Sequence, residues 1–169
     1  MVLKALALNC SLKAKDGESS STDAMIAVLQ RAFAADGVEL TGMVRVAALD
    51  IRLGQISSVA KRVLERMDAF LGETDDGGRM PSYGKVAVAA IVGNEDGAHC
   101  SIAQWFQVLN DVGWTIPAIA ACYWVVEAMA STDFKDLEEV PEKVEKTAKM
   151  VAGNAAHLAG LLQSAPYPG

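Results

Sequence analysis

Apolar residues crowd into short runs at four places along this chain and recur at helical spacing between them. Met1 to Asn9 is apolar except for Lys4 and the closing Asn9 and reads as a buried strand. From Thr22 to Ala35, Met25, Ile26, Leu29 and Phe33 share one helical face, with Ser21 placed to cap the start and Gly37 to end it. Val38 to Ala47 predicts a second strand. Ser57 to Leu71 predicts a helix with Val59, Val63, Met67 and Phe70 inward and Lys61, Arg62 and Glu65 outward. A polar loop, Gly72 to Tyr83, leads into the most strand-like run, Lys85 to Val92, bounded by Gly84 and Gly93. Ala98 to Val112 is helical, with Ile102, Trp105, Phe106 and Leu109 inward and Gly113 closing it. Thr115 to Val125 predicts a strand whose Pro117 suits an end or an edge. Pro141 opens the last helix, with Val144, Ala148, Val151, Ala155, Leu158 and Leu162 as its apolar stripe.

Strands separated by helices of this length indicate βαβ units and a parallel sheet, an α/β class. Ligands in such folds bind beyond the carboxyl ends of the strands. Three loops fall on that edge, Cys10 to Ser21, Leu53 to Ser58 and Gly93 to His99, and all are rich in small polar residues. The first carries the most chemistry. Asn9-Cys10-Ser11-Leu12-Lys13 and Ser19-Ser20-Ser21-Thr22 place hydroxyls, a lysine and backbone N–H groups at a helix N-terminus, where the dipole favours an anion. It contains neither G-x-G-x-x-G nor G-x-x-x-x-G-K-[ST], so the guest it suits is the terminal phosphate of a mononucleotide rather than a pyrophosphate. The competing reading is a strand–loop–helix turn whose serines only cap the helix.

Composition narrows the class. The 169 residues, 51% hydrophobic, are enough for one domain, 1–169, with its own core. A net charge of -6 and a pI near 4.9 argue against a nucleic-acid or anionic-membrane surface. Cys10, Cys100 and Cys122 are widely spaced in apolar company and read as buried thiols of a reducing compartment. His99 and His157 alone build no typical zinc site, so no metal is expected. With no signal peptide and no apolar run long enough to span a bilayer, the expectation is a soluble cytoplasmic protein without membrane partners.

The three loops together resemble the flavodoxin-like NAD(P)H-dependent FMN reductase family. Asn9-Cys10-Ser11-Leu12-Lys13 through Ser20-Ser21-Thr22 is similar to its phosphate loop, a [GC]-S-x-[RK] followed by S-x-T. Leu53-Gly54-Gln55-Ile56-Ser57-Ser58, with Glu65-Arg66-Met67-Asp68 behind it, is similar to the second flavin loop and its helix, and Val92-Gly93-Asn94-Glu95-Asp96-Gly97-Ala98-His99 to the third. The resemblance covers nearly the whole chain and implies a flavodoxin-like three-layer sandwich around a parallel sheet. One segment is missing. Relatives carry a loop, a helix and a third, central strand before the second flavin loop, whereas here Asp50-Ile51-Arg52 runs straight into Leu53-Gly54. A βαβ crossover needs roughly a dozen residues. Either the flanking strands close up beside each other, or another chain fills the gap, or residues of a longer form are absent.

The resemblance implies FMN as cofactor, NAD(P)H as hydride donor, and free flavin, quinone or a similar small molecule as acceptor. Ser11, Ser20, Ser21 and Thr22 would then hold the phosphate and Lys13 neutralise it. Leu53, Gly54 and Gln55 would line the ribityl or dimethylbenzene side, and Gly93, Asn94, Glu95, Gly97 and His99 the ring. No side-chain base is required for hydride transfer between stacked rings, so no catalytic residue is assigned. Ser57 and Ser58 read as helix caps, and Tyr123 and Trp124 as core or a wall on the substrate side. A homodimer or homotetramer is also implied. Two other functions stay open: a flavodoxin-type electron-transfer protein, and a shortened interaction module without flavin.

Overall fold

The computed structural model describes residues 2–11, 19–45, 55–93, 97–126 and 132–169. Strand β1, Leu3–Asn9, leads to helix α1, Ser21–Ala35, and strand β2, Val38–Arg45. Helix α2, Ser58–Met67, runs on into a 3-10 turn, Asp68–Gly72. Strand β3, Ala89–Gly93, helix α3, Ala98–Asp111, and strand β4, Ala121–Val125, complete the second half. Helix α4, Glu142–Ser164, ends the fold.

Both strand pairs are parallel, as the βαβ pattern requires: β1 pairs with β2, and β3 with β4. The β1–β2 register slips once, between Ala5 and Leu6, where the Thr41 hydroxyl bonds the Ala5 carbonyl at 2.9 Å. β3 and β4 are shorter than the apolar runs that encode them. A single bridge, Val86 to Thr115, precedes the ladder, which resumes only at Ala89–Ala121. Between them Pro117 lacks an N–H and Ile119 adopts a left-handed φ of 53°, so the ladder cannot run through.

The principal core lies where α1 and α4 pack together over the sheet. Met25, Val28, Leu29 and Ala32 of α1 meet Val144, Ala148, Val151 and Ala152 of α4 over Cys122. Phe134 closes this cluster. On the other side α3 packs on β3 and β4, and α2 on α3, giving helices in two outer layers. Val59 and Leu64 of α2 and Leu109 of α3 are buried there. Val28, Ala32 and Leu64 were not among the expected inward residues, because each sits one helical step beside the stripe read from the sequence. Ile26, Phe33, Val63, Met67, Phe70 and Leu158 were expected inward and are only half-buried.

Helix starts follow the serines. The cap of α1 is Ser20 rather than the expected Ser21: its Oγ accepts from the Asp23 amide at 3.1 Å while Asp23 accepts from the Ser20 amide at 2.8 Å. Ser57 caps α2 in the expected way, accepting from the Ala60 amide at 3.1 Å. Gly113 closes α3 with a φ of 89°, and a Cβ there would lie 2.6 Å from the Tyr83 ring and 2.7 Å from Ser82 Oγ. Only glycine satisfies both limits.

The four strands do not form one ladder. Among the described residues β1 and β3 share no hydrogen bonds, so the flanking strands have not closed up beside each other. A cavity of about 1090 Å3 lies between them, lined by residues 2–8 on one side and 84–93 on the other. This is the place the absent central strand would take.

Candidate functional site at the carboxyl edge of the strands

The site begins where β1 ends. Asn9 is fully buried, because its amide joins three segments. Its Nδ2 donates to Asp23 Oδ1 at 2.6 Å, and its Oδ1 accepts from the Ser11 amide at 2.9 Å. Asp23 Oδ2 also takes the Ser20 hydroxyl at 2.8 Å. Strand end, first loop and helix start are thereby one hydrogen-bonded unit, and a polar residue ending an apolar run was its only trace in the sequence.

That unit decides which hydroxyls keep a proton to give to the cavity. Ser20 is buried, and its single hydroxyl proton goes to Asp23. Ser21 Oγ accepts from the Lys135 amide at 3.4 Å and keeps its own proton to donate. Thr22 is half-buried and lines the cavity with Ser11, Ser20 and Ser21. The first N–H groups of α1 have no partner within the helix, and they lie at its positive end.

Two further ties bring the loops together. Ser57 Oγ donates to the Cys10 carbonyl at 3.3 Å, joining the second loop to the first. Gln104 Nε2 donates to Gln55 Oε1 at 2.6 Å, joining the second loop to α3. Gln55, Gly93, Gly97 and Trp124 line the same cavity as the α1 hydroxyls. Trp124 also stacks obliquely on Phe134, ring centres 5.4 Å apart, so it serves core and wall together. Gly97 enters α3 with a φ of 139°, which a side chain would resist.

His99 is placed differently from its neighbours in the loop. It is exposed, stands outside the lining of the cavity, and lies 3.1 Å through Nε2 from the Tyr123 hydroxyl. The two rings meet edge to face, 5.3 Å between centres. Lys13, Leu53, Gly54, Asn94 and Glu95 lie outside the described residues.

The cysteines depart from the expected buried set. Cys122 is buried and Cys10 half-buried, and burial pushes each thiol up to about 11. Cys100 is exposed, on the first turn of α3, with Gln104 Nε2 3.3 Å from its sulfur. Among the described residues no three His, Cys, Asp or Glu side chains gather at metal-binding distance, and no helix is long and apolar enough to cross a membrane.

Comparison with solved structures now places the architecture. RosB with bound 8-demethyl-8-formylriboflavin-5'-phosphate superposes with a TM-score of 0.84 at 24% identity, over 99% of this chain and 82% of RosB. A flavodoxin from the domain Archaea superposes at 0.50 and 11% identity, over 94% of this chain and 99% of its own. The chain adopts the flavodoxin-like fold.

Sequence comparison points the same way. The 8-demethyl-8-aminoriboflavin-5'-phosphate synthase of Streptomyces davaonensis is 32% identical over 125 residues, 72% of this chain and 48% of the synthase. The divalent metal cation transporter MntH of Mycobacterium bovis is 38% identical over 87 residues, 51% of this chain but 13% of the transporter. The flavodoxin-like chain thus spans about half of the first of these relatives and a small part of the second. No protein-family model matches it. Its likeness runs to flavin-handling proteins of flavodoxin-like fold.

Proposed function

We propose that residues 1–169 act as one FMN-binding domain that reduces a small acceptor, free flavin or a quinone, with NAD(P)H as donor. The observation that carries this reading is the shared cavity at the strand ends, with Ser11, Ser21 and Thr22 on one wall and Gln55, Gly93, Gly97 and Trp124 on the others. The hydroxyls of Ser21 and Thr22 and the first amides of α1 suit a phosphate dianion, with Lys13 supplying the compensating charge. Ser20 holds the helix start through Asp23, so its part is to position these donors. Gly93 and Gly97 let backbone approach a flat ring closely, and Trp124 excludes water from one side. FMN, when bound, supplies the hydride chemistry, and the chain supplies position and electrostatics.

A second reading is favoured by the names of the relatives. A synthase of an aminoriboflavin phosphate and a RosB structure holding a formylriboflavin phosphate both treat the flavin phosphate as material to be changed. In that reading the same cavity binds FMN as substrate. One experiment separates the two. FMN is titrated into the protein and followed by its visible spectrum, with perturbed bands saturating at about one equivalent per chain. Anaerobic NADH or NADPH is then added to one sample, a second is incubated in air with an amino acid as amino donor, and the flavin of each is recovered, reoxidised and weighed by mass spectrometry. Bleaching with flavin recovered intact supports the cofactor reading, and a changed flavin mass supports the substrate reading. A spectrum identical to that of free FMN at every ratio defeats both.

A further inference from the structure

The cavity between β1 and β3 extends well beyond the carboxyl edge. It runs the length of both strands, from Val2 to Leu8 and from Gly84 to Gly93. Its long walls are two strand edges. Along the segment leading into β3 the amides of Ala87 and Ala89 donate to Thr115 and Ala120, and Lys85 accepts from Thr115, so the odd-numbered residues bond towards the segment that leads into β4. By strand alternation the N–H and C=O groups of Val88, Ala90 and Val92 turn the other way, into the cavity. β1 is bonded only to β2 among the described residues and presents its other edge to the same space. Two parallel strands therefore offer unpaired backbone groups to one intervening channel.

We propose that this channel receives an extended peptide strand supplied by another protein, apolar along its length and led at its N-terminal end by an acidic residue. The occupant must be a peptide because the walls demand hydrogen bonds. Along the strands, away from the carboxyl edge where a flavin would sit, an alkyl chain or a flat ring would fill the apolar volume but leave both edges unsatisfied, at a cost for each buried group. A strand satisfies β1 and β3 together and completes a continuous sheet, the mode of β-augmentation. It must run parallel to both neighbours, because each half-sheet is itself parallel. An isolated strand pair such as β1–β2 is marginal alone. Leu6 and Leu8 of β1 stand 61% and 39% exposed, which a strand beside them would reduce.

Charge fixes the end that enters first. In a chain of net charge -6, the channel is lined by only three charged side chains among the described residues, Lys4, Lys85 and Asp133. Lys4 lies at the start of β1 and Lys85 four residues before β3, both at the N-terminal end of the channel, so a parallel occupant places its own N-terminal end beside two cations. A second copy of this chain suits the channel poorly, since all four described strands are already paired within their own half-sheets. RosB superposes on 99% of this chain yet is covered over only 82% of its own length, so the larger fold has material that has no counterpart here.

The test uses the full chain and synthetic peptides as long as β1. Each begins with glutamate and continues with alternating valine, isoleucine, leucine or phenylalanine and threonine. Hydrogen exchange by NMR reads the amides of Val88, Ala90, Val92 and β1 with and without peptide. The expected result is saturable slowing of exchange on both edges, abolished when alternate peptide amides are N-methylated. The exposed pair Lys4→Glu with Lys85→Glu keeps the fold by circular dichroism and weakens glutamate-led peptides roughly three- to tenfold, while strengthening lysine-led ones. The proposal is overturned if no peptide protects either edge, or if N-methylation leaves binding unchanged. Protection that rises with protein concentration alone would overturn it in favour of self-association.

Discussion

Asn9 is the residue whose removal most directly tests how the site is assembled. Replacing it with alanine deletes a 2.6 Å bond to the Asp23 carboxylate and a 2.9 Å bond from the Ser11 amide, at a position with no solvent exposure. A hydrogen bond to a charged group contributes about 1.5–3 kcal/mol and a neutral one about 1 kcal/mol. The loss for Asn9→Ala is therefore about 3 kcal/mol, which at an m-value of about 2 kcal/mol/M lowers the urea midpoint by about 1.5 M. A double-mutant cycle with Asp23→Ala isolates the pair. Its coupling energy is expected at about 1–2 kcal/mol, because the two groups share one network with Ser20. Urea unfolding followed by far-ultraviolet circular dichroism supplies all four stabilities. A coupling energy below about 0.3 kcal/mol would refute the claim that Asn9 joins β1 to the start of α1.

Four further outcomes follow from the same geometry. Gly113→Ala combines a left-handed φ of 89° with a Cβ 2.6 Å from the Tyr83 ring, and is expected to cost about 3 kcal/mol in thermal or urea unfolding. Exposed Cys100 is expected to react with iodoacetamide at pH 8 before Cys10 and Cys122, as mass spectrometry of tryptic peptides will show. Burial raises the Cys10 and Cys122 thiols from 9.0 to about 11, so their contribution to stability is intact below pH 9 and is lost as pH rises through 11, which urea midpoints across that window will report. Within the proposed function, Thr22→Val weakens FMN binding roughly tenfold or more, read from the spectral titration, and leaves the urea midpoint nearly unchanged.

Much of the fold was legible because periodicity reports burial, and burial here follows simple stripes. Val144, Ala148, Val151, Ala155 and Leu162 all emerge buried on α4, as their spacing requires. The missing crossover was legible, since none can be built from so short a connection as that before Leu53, but whether the flanking strands would close up was not, and among the described residues the two half-sheets stay apart. Thiol exposure was not legible either. Cys100 was read as buried, yet the first turn of α3 turns it outward, one residue from buried Ser101, and its polar neighbours His99 and Ser101 do not mark which way it faces. The ladder lengths were missed for a local reason, because Pro117 and left-handed Ile119 interrupt an otherwise apolar run. Ties between distant parts of the chain were beyond reach. His99 with Tyr123 and Gln55 with Gln104 are 24 and 49 residues apart, and neither type of residue marks its partner in advance.

The serines of the first loop show how two readings of one motif divide between adjacent residues. A hydroxyl has one proton, so a serine that donates to a carboxylate cannot also donate to a ligand. Ser20 gives its proton to Asp23 and takes the Asp23 amide, which makes it the cap. Ser57 gives its proton to the Cys10 carbonyl and takes the Ala60 amide, which makes it a second cap and a clasp between loops. Ser21 only accepts, from Lys135, and with Thr22 it faces the cavity with a proton to give. The capping half of the alternative is therefore assigned one residue at a time, and Ser21 and Thr22 are left as the candidates for binding. Caps hold the loop ends in place, and Ser21 and Thr22 line the cavity beside the positive end of α1.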